Sequence, residues 1–239
     1  VYKRQSQSSG EAFSTDYDLP NDTVYAESCA SIGLIMFARR MLEMEGDSQY
    51  ADVMERALYN TVLGGMALDG KHFFYVNPLE VHPKTLKFNH IYDHVKPVRQ
   101  RWFGCACCPP NIARLLTSLG HYIYTAREDA LFINLYIGNN VQLPVGDSTL
   151  RLRISGNCPW HEEVRIHIDS PRPVEHTLAL RLPDWCDATR VMLNGRPCEG
   201  DIRKGYLWLT RTWHEGDTLT LTLPMPVRRV YGNPPVSYT

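Results

Sequence analysis

Three thiols stand close together in the stretch WFGCACCPPN, residues 102–111, where Cys105, Cys107 and Cys108 fall within four positions. The chain has seven cysteines, an odd number, and they are not spaced as a disulfide framework. The adjacent Cys107 and Cys108 could pair only as a strained vicinal disulfide. Such a cluster suits a metal-binding or catalytic role in a reducing compartment, so we expect a cytoplasmic location.

A second pair of candidate ligands, Glu27 and Cys29, lies in the stretch YAESCAS. Residues two apart on a helix diverge by about 200°, so both could reach one ion only at an irregular first turn or across a helix end. With Cys107 and Cys108 they would offer one carboxylate and three thiolates, a set that suits tetrahedral zinc. The alternative, that Cys29 is a buried small apolar side chain, stays open at this point.

The composition is that of a globular protein. The 239 residues carry a formal net charge of −1 and are 44% apolar, which excludes a disordered or collagen-like chain. The near-neutral charge gives no reason to expect a nucleic-acid partner, and no apolar run reaches the ~18 residues of a membrane span. The sequence begins VYKRQSQSSGEAF, with neither a signal peptide nor an initiator Met, so we expect a fragment of a longer protein.

Apolar residues repeat at helical spacing up to about residue 127. One predicted helix opens behind Asn21 and Asp22 and ends at Gly46, with a buried side formed by Val24, Ile32, Ile35, Met36 and Leu42. A second runs from Ser48 to the glycine pair at 64–65.

A third helix is predicted over NIARLLTSLGHYIYTA, capped by Asn111, because the two preceding prolines do not fit a helix interior. The long connection between the second and third helices, residues 66–110, contains KHFFYVNP as a predicted strand. Connections of this length inside compact domains are usually functional or structured.

From about residue 128 the pattern changes to a period of two. Segments such as STLRLRIS, EVRIHIDS and YLWLTRTW alternate apolar and polar residues between turn signals, and LNGRP contains an Asn-Gly hairpin turn. This pattern predicts an antiparallel β-sandwich. The fold class is therefore α + β and multidomain, with a helical part over residues 1–127 and a sandwich over residues 128–239. Three helices are few for a core, so the helical part is predicted to belong to a larger helical array.

The paired motifs resemble those of a known enzyme family. GEAFSTDYDLPNDTVYAESCAS followed by WFGCACCPPNIARLL is similar to the glycoside hydrolase family 127 β-L-arabinofuranosidases. The resemblance implies that residues 1–127 are the C-terminal part of an (α/α)6-barrel catalytic domain that precedes β-sandwich domains. It also implies a carbohydrate substrate and a zinc cofactor, with hydrolysis of terminal β-L-arabinofuranosides or a close sugar.

The resemblance implies a role for each matching residue. It makes Cys107 the nucleophile and Glu11, in GEAF, the general acid/base. It implies four zinc ligands, Glu27, Cys29, Cys107 and Cys108. Tyr75, in FFYVNP, matches a tyrosine that contacts the substrate. A bound metal would keep Cys107 as a thiolate, and one carboxyl group would serve both steps of a retaining hydrolysis.

Two other functions are compatible with the same residues. The protein could be a non-catalytic carbohydrate-binding protein in which zinc and the cysteines are only structural. It could also be a thiol redox protein, because Cys105 and Cys108 have C-x-x-C spacing, although no βα junction accompanies them. Glu11 by itself would be an ordinary solvated carboxylate, and we leave Cys105 outside the ligand set.

Further expectations concern residues outside the motifs. His90 and His94 have i, i+4 spacing without a third ligand, so we interpret them as loop or groove residues near the sugar. Cys158, Cys186 and Cys198 are predicted to pack in the sandwich. Since residues that grip the sugar in the family precede Glu11, we expect this chain alone to be weakly active or inactive. The sequence leaves the oligomeric state open, a homo-oligomer included.

Overall fold

The structure is a computed structural model of the chain. It describes residue 16, residues 20–84, residue 86, residues 93–229 and residue 231. Helices form most of the regular structure before residue 124, and strands form it afterwards. The α + β class predicted from the two periodicities is therefore confirmed.

Four α-helices and one π-helical segment occur in the described part of the chain. They are α1 (Ser28–Glu45), α2 (Ser48–Arg56), the π-helical segment (Ala57–Leu63), α3 (Cys108–Thr117) and α4 (Gly120–Ile123). Two predicted boundaries are confirmed, because α2 begins at Ser48 and α1 ends just before Gly46. Gly46 has φ of 65°, the left-handed conformation in which glycine closes a helix.

Two helix starts differ from the prediction. α1 begins at Ser28, after the predicted start behind Asp22. The reason is local, because Ala26 has φ of 38° and Glu27 forms an antiparallel bridge with Val76, and neither conformation belongs to a helix.

α3 begins at Cys108 rather than after the two prolines. Pro109 and Pro110 are accommodated because the N–H groups of a first turn have no partner within the helix. The prediction that Asn111 is the N-cap is therefore wrong, since Asn111 lies inside the first turn and Cys107 precedes the helix.

α1 is apolar on two sides. Its buried side includes Ile32, Ile35 and Leu42, all at most 2% exposed. Leu34, Phe37 and Met44 on the other side are 39%, 61% and 77% exposed. Membership of the helices in an (α/α)6 barrel remains a prediction.

Eleven strands are described. They are β1 (Tyr124–Ala126), β2 (Ala130–Ile133), β3 (Asn139–Val145), β4 (Ser148–Gly156), β5 (Glu163–Asp169), β6 (Val174–Arg181), β7 (Arg190–Leu193), β8 (Arg196–Pro197), β9 (Asp201–Arg203), β10 (Tyr206–Trp213) and β11 (Thr218–Thr222). One sheet has the order β1-β2-β6-β10-β9 and the other β3-β4-β5-β11-β7-β8. The described pairs are antiparallel, as predicted, except β2 with β6, which is parallel.

The turn between β7 and β8 follows its sequence signal. Leu193 pairs with Arg196 across the two-residue loop. Asn194 and Gly195 have φ of 51° and 78°, as a hairpin turn of this length requires. The Asn-Gly prediction is confirmed.

The core of the sandwich lies between the alternating apolar faces of both sheets. Leu150, Leu152 and Ile154 of β4 are buried at alternate positions, and Leu207, Leu209 and Trp213 of β10 join the same core. Cys186 belongs to this core, and Cys158 and Cys198 pack against it. The prediction that these three cysteines serve packing is confirmed.

A buried ion pair lies beside this core. The Arg181 guanidinium, at the end of β6, pairs with the carboxylate of Asp52, and the two side chains are 0% and 5% exposed. Asp52 also accepts a hydrogen bond from the backbone N–H of Asp184 at 3.3 Å. The Tyr136 hydroxyl donates to the carbonyl oxygen of Arg181 at 2.5 Å. The Asp52 carboxylate is thus both ion-paired and hydrogen-bonded inside the protein.

The chain divides into two compact units. The first comprises Val1–Ala38, Val53–Thr117 and Arg228–Thr239, and the second comprises Arg39–Asp52 and Ser118–Val227. The candidate site described below lies in the first unit, and the sandwich lies in the second. The domain boundary at residues 127/128 stays a prediction.

Candidate functional site

Two chain segments are joined beside the start of α1. Glu27 bridges Val76, and the backbone N–H of Ser28 donates to the carbonyl oxygen of Tyr75 at 3.0 Å. The side chain of Asn77 adds a hydrogen bond to the carbonyl oxygen of Ala26 at 3.1 Å. Glu27 therefore stands outside the helix while Cys29 stands in its first turn. This irregular start is the condition under which both side chains can reach one point.

A third chain segment, at the start of α3, contributes the adjacent cysteines Cys107 and Cys108. Cys108 is the first residue of α3, and Cys107 precedes it. The carbonyl oxygen of Cys107 accepts a hydrogen bond from the backbone N–H of Asn111 at 3.3 Å. The two sulfurs therefore lie at the positive end of the α3 dipole, where negative charge is favoured.

The side chains of Glu27, Cys29, Cys107 and Cys108 converge. One ligand atom from each lies within 4.8 Å of the others, and no other group of this kind occurs among the described residues. We call these four residues the thiol cluster. The sulfur of Cys108 lies 3.6 Å from that of Cys29 and 3.7 Å from that of Cys107, and the Cys107 sulfur lies 3.4 Å from a Glu27 carboxylate oxygen.

Burial raises the thiol pKa of two members of the cluster, Cys29 and Cys108. Cys108 is 0% exposed and Glu27 6%. Burial raises the pKa of the Cys29 thiol to about 12, while hydrogen bonds with the Asn111 amide and with Cys108 lower it by less. Burial, together with the charge of Cys29, also raises the pKa of Cys108 well above its usual value. Without a cation these two thiols are protonated at neutral pH, so a metal that binds here must displace their protons.

Tyr75 forms the wall beside the Cys107 sulfur. Its hydroxyl oxygen lies 3.3 Å from that sulfur, and burial raises the pKa of Tyr75 well above its usual value. The hydroxyl therefore keeps its proton and can donate it in a hydrogen bond to a thiolate. The ring is held by aromatic neighbours, with centroids 5.1 Å away at His94, 5.6 Å at Phe103 and 6.2 Å at Tyr25.

Asn111 is a contact that the sequence did not predict. Its side-chain Nδ2 donates to the Cys29 sulfur at 3.1 Å, and its Oδ1 accepts from the Arg114 guanidinium. The sequence could have predicted this contact only if α3 had been predicted to begin at Cys108. Asn111 is then three residues further along and lies on the same side of the helix as Cys108.

Some predicted site residues lie outside the described residues, namely Glu11 and His90. The described His94 contacts Tyr25 and Tyr75 and is not part of the thiol cluster. The placement of a carboxyl acid/base at Glu11 therefore stays a prediction.

Cys105 is exposed and is not part of the thiol cluster. The backbone N–H of Cys107, followed by the Cys107 side chain and the Tyr75 hydroxyl, lowers the pKa of the Cys105 thiol. An exposed thiol of lowered pKa is the more reactive kind. Cys105 thus differs from Cys29 and Cys108, whose thiol pKa values are raised by burial.

We expect iodoacetamide to alkylate Cys105 about tenfold or more faster than Cys107 and Cys108 in zinc-loaded protein, because Cys105 is exposed and its pKa is lowered, whereas Cys107 is partly covered and Cys108 is buried. Peptide mass spectrometry with fragment-ion assignment measures the three rates. Cys186, 7% exposed within the sandwich core, is the internal slow reference. Equal labelling of Cys105 and the fully buried Cys108 would contradict the assignment of Cys105 outside the cluster.

The described helices include none that has both the length and the apolar character to cross a lipid bilayer.

Both parts of the chain match models of one class of enzymes, the glycoside hydrolases. Residues 4–121 match the β-L-arabinofuranosidase GH127 catalytic domain, and residues 130–225 match the corresponding GH127 middle domain. The chain belongs to glycoside hydrolase family 127.

Individual relatives agree with this. A non-reducing end β-L-arabinofuranosidase of Bifidobacterium longum subsp. longum is 40% identical over 232 residues, which cover 94% of this chain and 34% of that protein. The crystal structure of a GH127 β-L-arabinofuranosidase from Geobacillus stearothermophilus T6 is 51% identical, with a TM-score of 0.92 over 98% of this chain and 37% of that one. A second GH127 β-arabinofuranosidase structure is 34% identical, with a TM-score of 0.86, over 99% of this chain and 39% of that one. The chain thus spans about a third of the curated relative's length.

Proposed function

We propose that the protein is a retaining glycoside hydrolase that releases L-arabinofuranose, or a close sugar, from β-L-arabinofuranosides. Cys107 is the nucleophile, Glu11 the acid/base, and the thiol cluster holds zinc. The observation that carries the proposal is the convergence of one carboxylate and three sulfurs in a chain of this family. The proposal concerns the whole protein, since the chain spans 34% of the curated relative.

The spacing of the thiol cluster supports zinc. In a tetrahedral site with Zn–S bonds of about 2.3 Å, neighbouring sulfurs are separated by about 3.8 Å. The separations of Cys108 from Cys29 and Cys107, 3.6 and 3.7 Å, are close to that length. A donor set rich in thiolates favours zinc over magnesium or calcium, which prefer oxygen.

The residues of the chain divide the chemistry between them. Zinc, when bound, supplies the positive charge that keeps Cys107 ionised at neutral pH. The Cys107 sulfur attacks the anomeric carbon and the glycosidic C–O bond breaks, while Glu11 gives its proton to the leaving oxygen. Water then attacks the same carbon, loses a proton to Glu11 and releases the Cys107 thiolate as the C–S bond breaks. The two displacements retain the anomeric configuration.

Tyr75 contributes a hydrogen bond at the nucleophile. A hydroxyl 3.3 Å from the Cys107 sulfur can hold that sulfur in one orientation. Its ring is packed against His94 and Phe103, which holds the hydroxyl in place. We therefore propose Tyr75 as a substrate-contacting residue.

Cell location and partners follow from the same chemistry. All seven cysteines are free thiols in the structure, which supports the proposal of a reducing, cytoplasmic compartment. The proposed partner is a carbohydrate substrate.

The proposal is tested by metal analysis and covalent labelling of the full-length protein. We expect about one zinc ion per chain. A thiol-directed arabinofuranose inhibitor should give one adduct, on Cys107, by mass spectrometry. Protein without zinc after purification in metal-replete buffer, or an adduct confined to Cys105, would overturn the proposal.

A further inference from the structure

We infer that Asn111 is a positioning residue for the metal centre, and that its amide, oriented by Arg114, fixes the sulfur of Cys29 for binding the ion. The inference rests on the proposed function, because it assigns Cys29 to a zinc site. It adds two residues, Asn111 and Arg114, that do not themselves coordinate.

The polarity of this contact is determined by Arg114. A guanidinium has N–H donors and no acceptor, so it can meet only the oxygen of an amide. Arg114 donates to Oδ1 of Asn111, and the NH2 group is thereby directed at the Cys29 sulfur, 3.1 Å away. A thiolate is an acceptor, so the three groups form a chain of hydrogen bonds with one consistent direction. The opposite amide orientation would place an oxygen against sulfur and an NH2 group against a cation.

A role in capping α3 does not explain this arrangement. A capping side chain accepts a hydrogen bond from a backbone N–H of the first turn. The Asn111 side chain instead donates to a sulfur that lies 82 positions away in sequence. Its backbone N–H already makes a helical hydrogen bond to the carbonyl oxygen of Cys107. The side chain is therefore available for the thiol cluster.

The hydrogen bond from Asn111 orients Cys29 and does not involve Cys107, the proposed nucleophile. Asn111 donates to Cys29, whereas the hydroxyl of Tyr75 lies beside Cys107. Hydrogen bonds to ligating atoms fix their orientation and adjust how strongly they donate to the metal. Cys29 is thus held as a fixed ligand, separately from the sulfur that reacts.

The test replaces the amide with an apolar side chain of similar size, Asn111→Leu. The matched control is Asn60→Leu, which removes an amide that donates to the backbone oxygen of Arg56. Each purified full-length protein is loaded with cobalt or zinc. The thiolate-to-cobalt charge-transfer absorption reports the sulfur ligands, and competition with a chromophoric chelator reports zinc affinity. Thermal unfolding of the metal-free proteins reports the fold.

We expect Asn111→Leu to weaken zinc binding by about 10- to 100-fold. Its charge-transfer band should move to longer wavelength, because a sulfur without its hydrogen bond gives up electron density more easily. The melting temperature of the metal-free protein should stay that of wild type. Asn60→Leu should leave zinc affinity and the band unchanged.

A second variant, Arg114→Met, keeps the inference testable if Asn111→Leu does not fold, because Arg114 is exposed. It should shift the band in the same direction, and Arg114→Lys, which keeps a donor, should restore it. Wild-type affinity and an unshifted band in Asn111→Leu, or in Arg114→Met where it is the variant tested, would overturn the inference while the proposed function stands. A wild-type protein without any thiolate–cobalt band would overturn the proposed function, and this inference with it.

Discussion

Replacing Cys107 with serine is expected to abolish hydrolysis, with a loss in kcat on the order of 10⁴-fold or more. A serine hydroxyl is a far weaker nucleophile than a thiolate and a poor zinc ligand, so the variant loses the attacking atom and one ligand together. The measurement is steady-state release of p-nitrophenol from p-nitrophenyl β-L-arabinofuranoside by the full-length protein. The fold should survive, because the remaining ligands and the helix start are unchanged.

The matched control is Cys105→Ser, the same chemical change two residues away on an exposed side chain. We expect Cys105→Ser to lower kcat far less than Cys107→Ser does, because Cys105 contacts Cys107 and Tyr75 but is not part of the thiol cluster. If the protein were instead a non-catalytic, zinc-stabilised binder of carbohydrate, Cys107→Ser would lower metal content and stability, and even wild type would release no product. A Cys107→Ser variant with wild-type kcat would remove Cys107 from the chemistry.

The largest expected effect on stability is at the buried ion pair. Asp52→Asn should lower the free energy of unfolding by about 3–5 kcal/mol, because it removes the carboxylate that pairs with the fully buried Arg181 guanidinium. Arg181 is 0% exposed, so water cannot replace the lost carboxylate. Urea denaturation followed by tryptophan fluorescence measures the change.

The control applies the same carboxylate-to-amide change at the surface. Glu163 pairs with Arg165 at 2.7 Å, with both side chains more than half exposed. Glu163→Gln should therefore cost less than about 1 kcal/mol. Removing both buried charges, with Asp52→Leu and Arg181→Met together, should be less destabilising than Asp52→Asn. Equal losses at the buried and exposed pairs would contradict the account of the ion pair.

The sandwich was largely predictable because each strand carries its own signal. Alternation within β4 and β10 fixed which residues face the core, and the Asn194–Gly195 turn fixed one hairpin. The parallel pairing of β2 with β6 was not predictable, because alternation does not specify which strand is the neighbour. The buried ion pair was missed for the same reason, since Asp52 and Arg181 are 129 positions apart.

The thiol cluster was predictable in membership but not in construction. The donor chemistry of the side chains predicted that Glu27, Cys29, Cys107 and Cys108 form one metal site. The resemblance of the motifs implied the role of each residue. The bridge of Glu27 to Val76, which keeps Glu27 out of the helix, depends on a segment about fifty residues away and left no local signal. Asn111 was misassigned because a proline pair was taken as the end of a loop when it was the first turn of α3.

That proline pair also determines which groups can donate hydrogen bonds to the sulfur of Cys107. Cys107 stands at the N-cap of α3, and a side chain there normally accepts a hydrogen bond from the second or third helical N–H. Those two positions are Pro109 and Pro110, which have no N–H to give. The lone pairs of the Cys107 sulfur are therefore not engaged by the helix that follows it, and they remain available to a metal ion and to an electrophilic carbon.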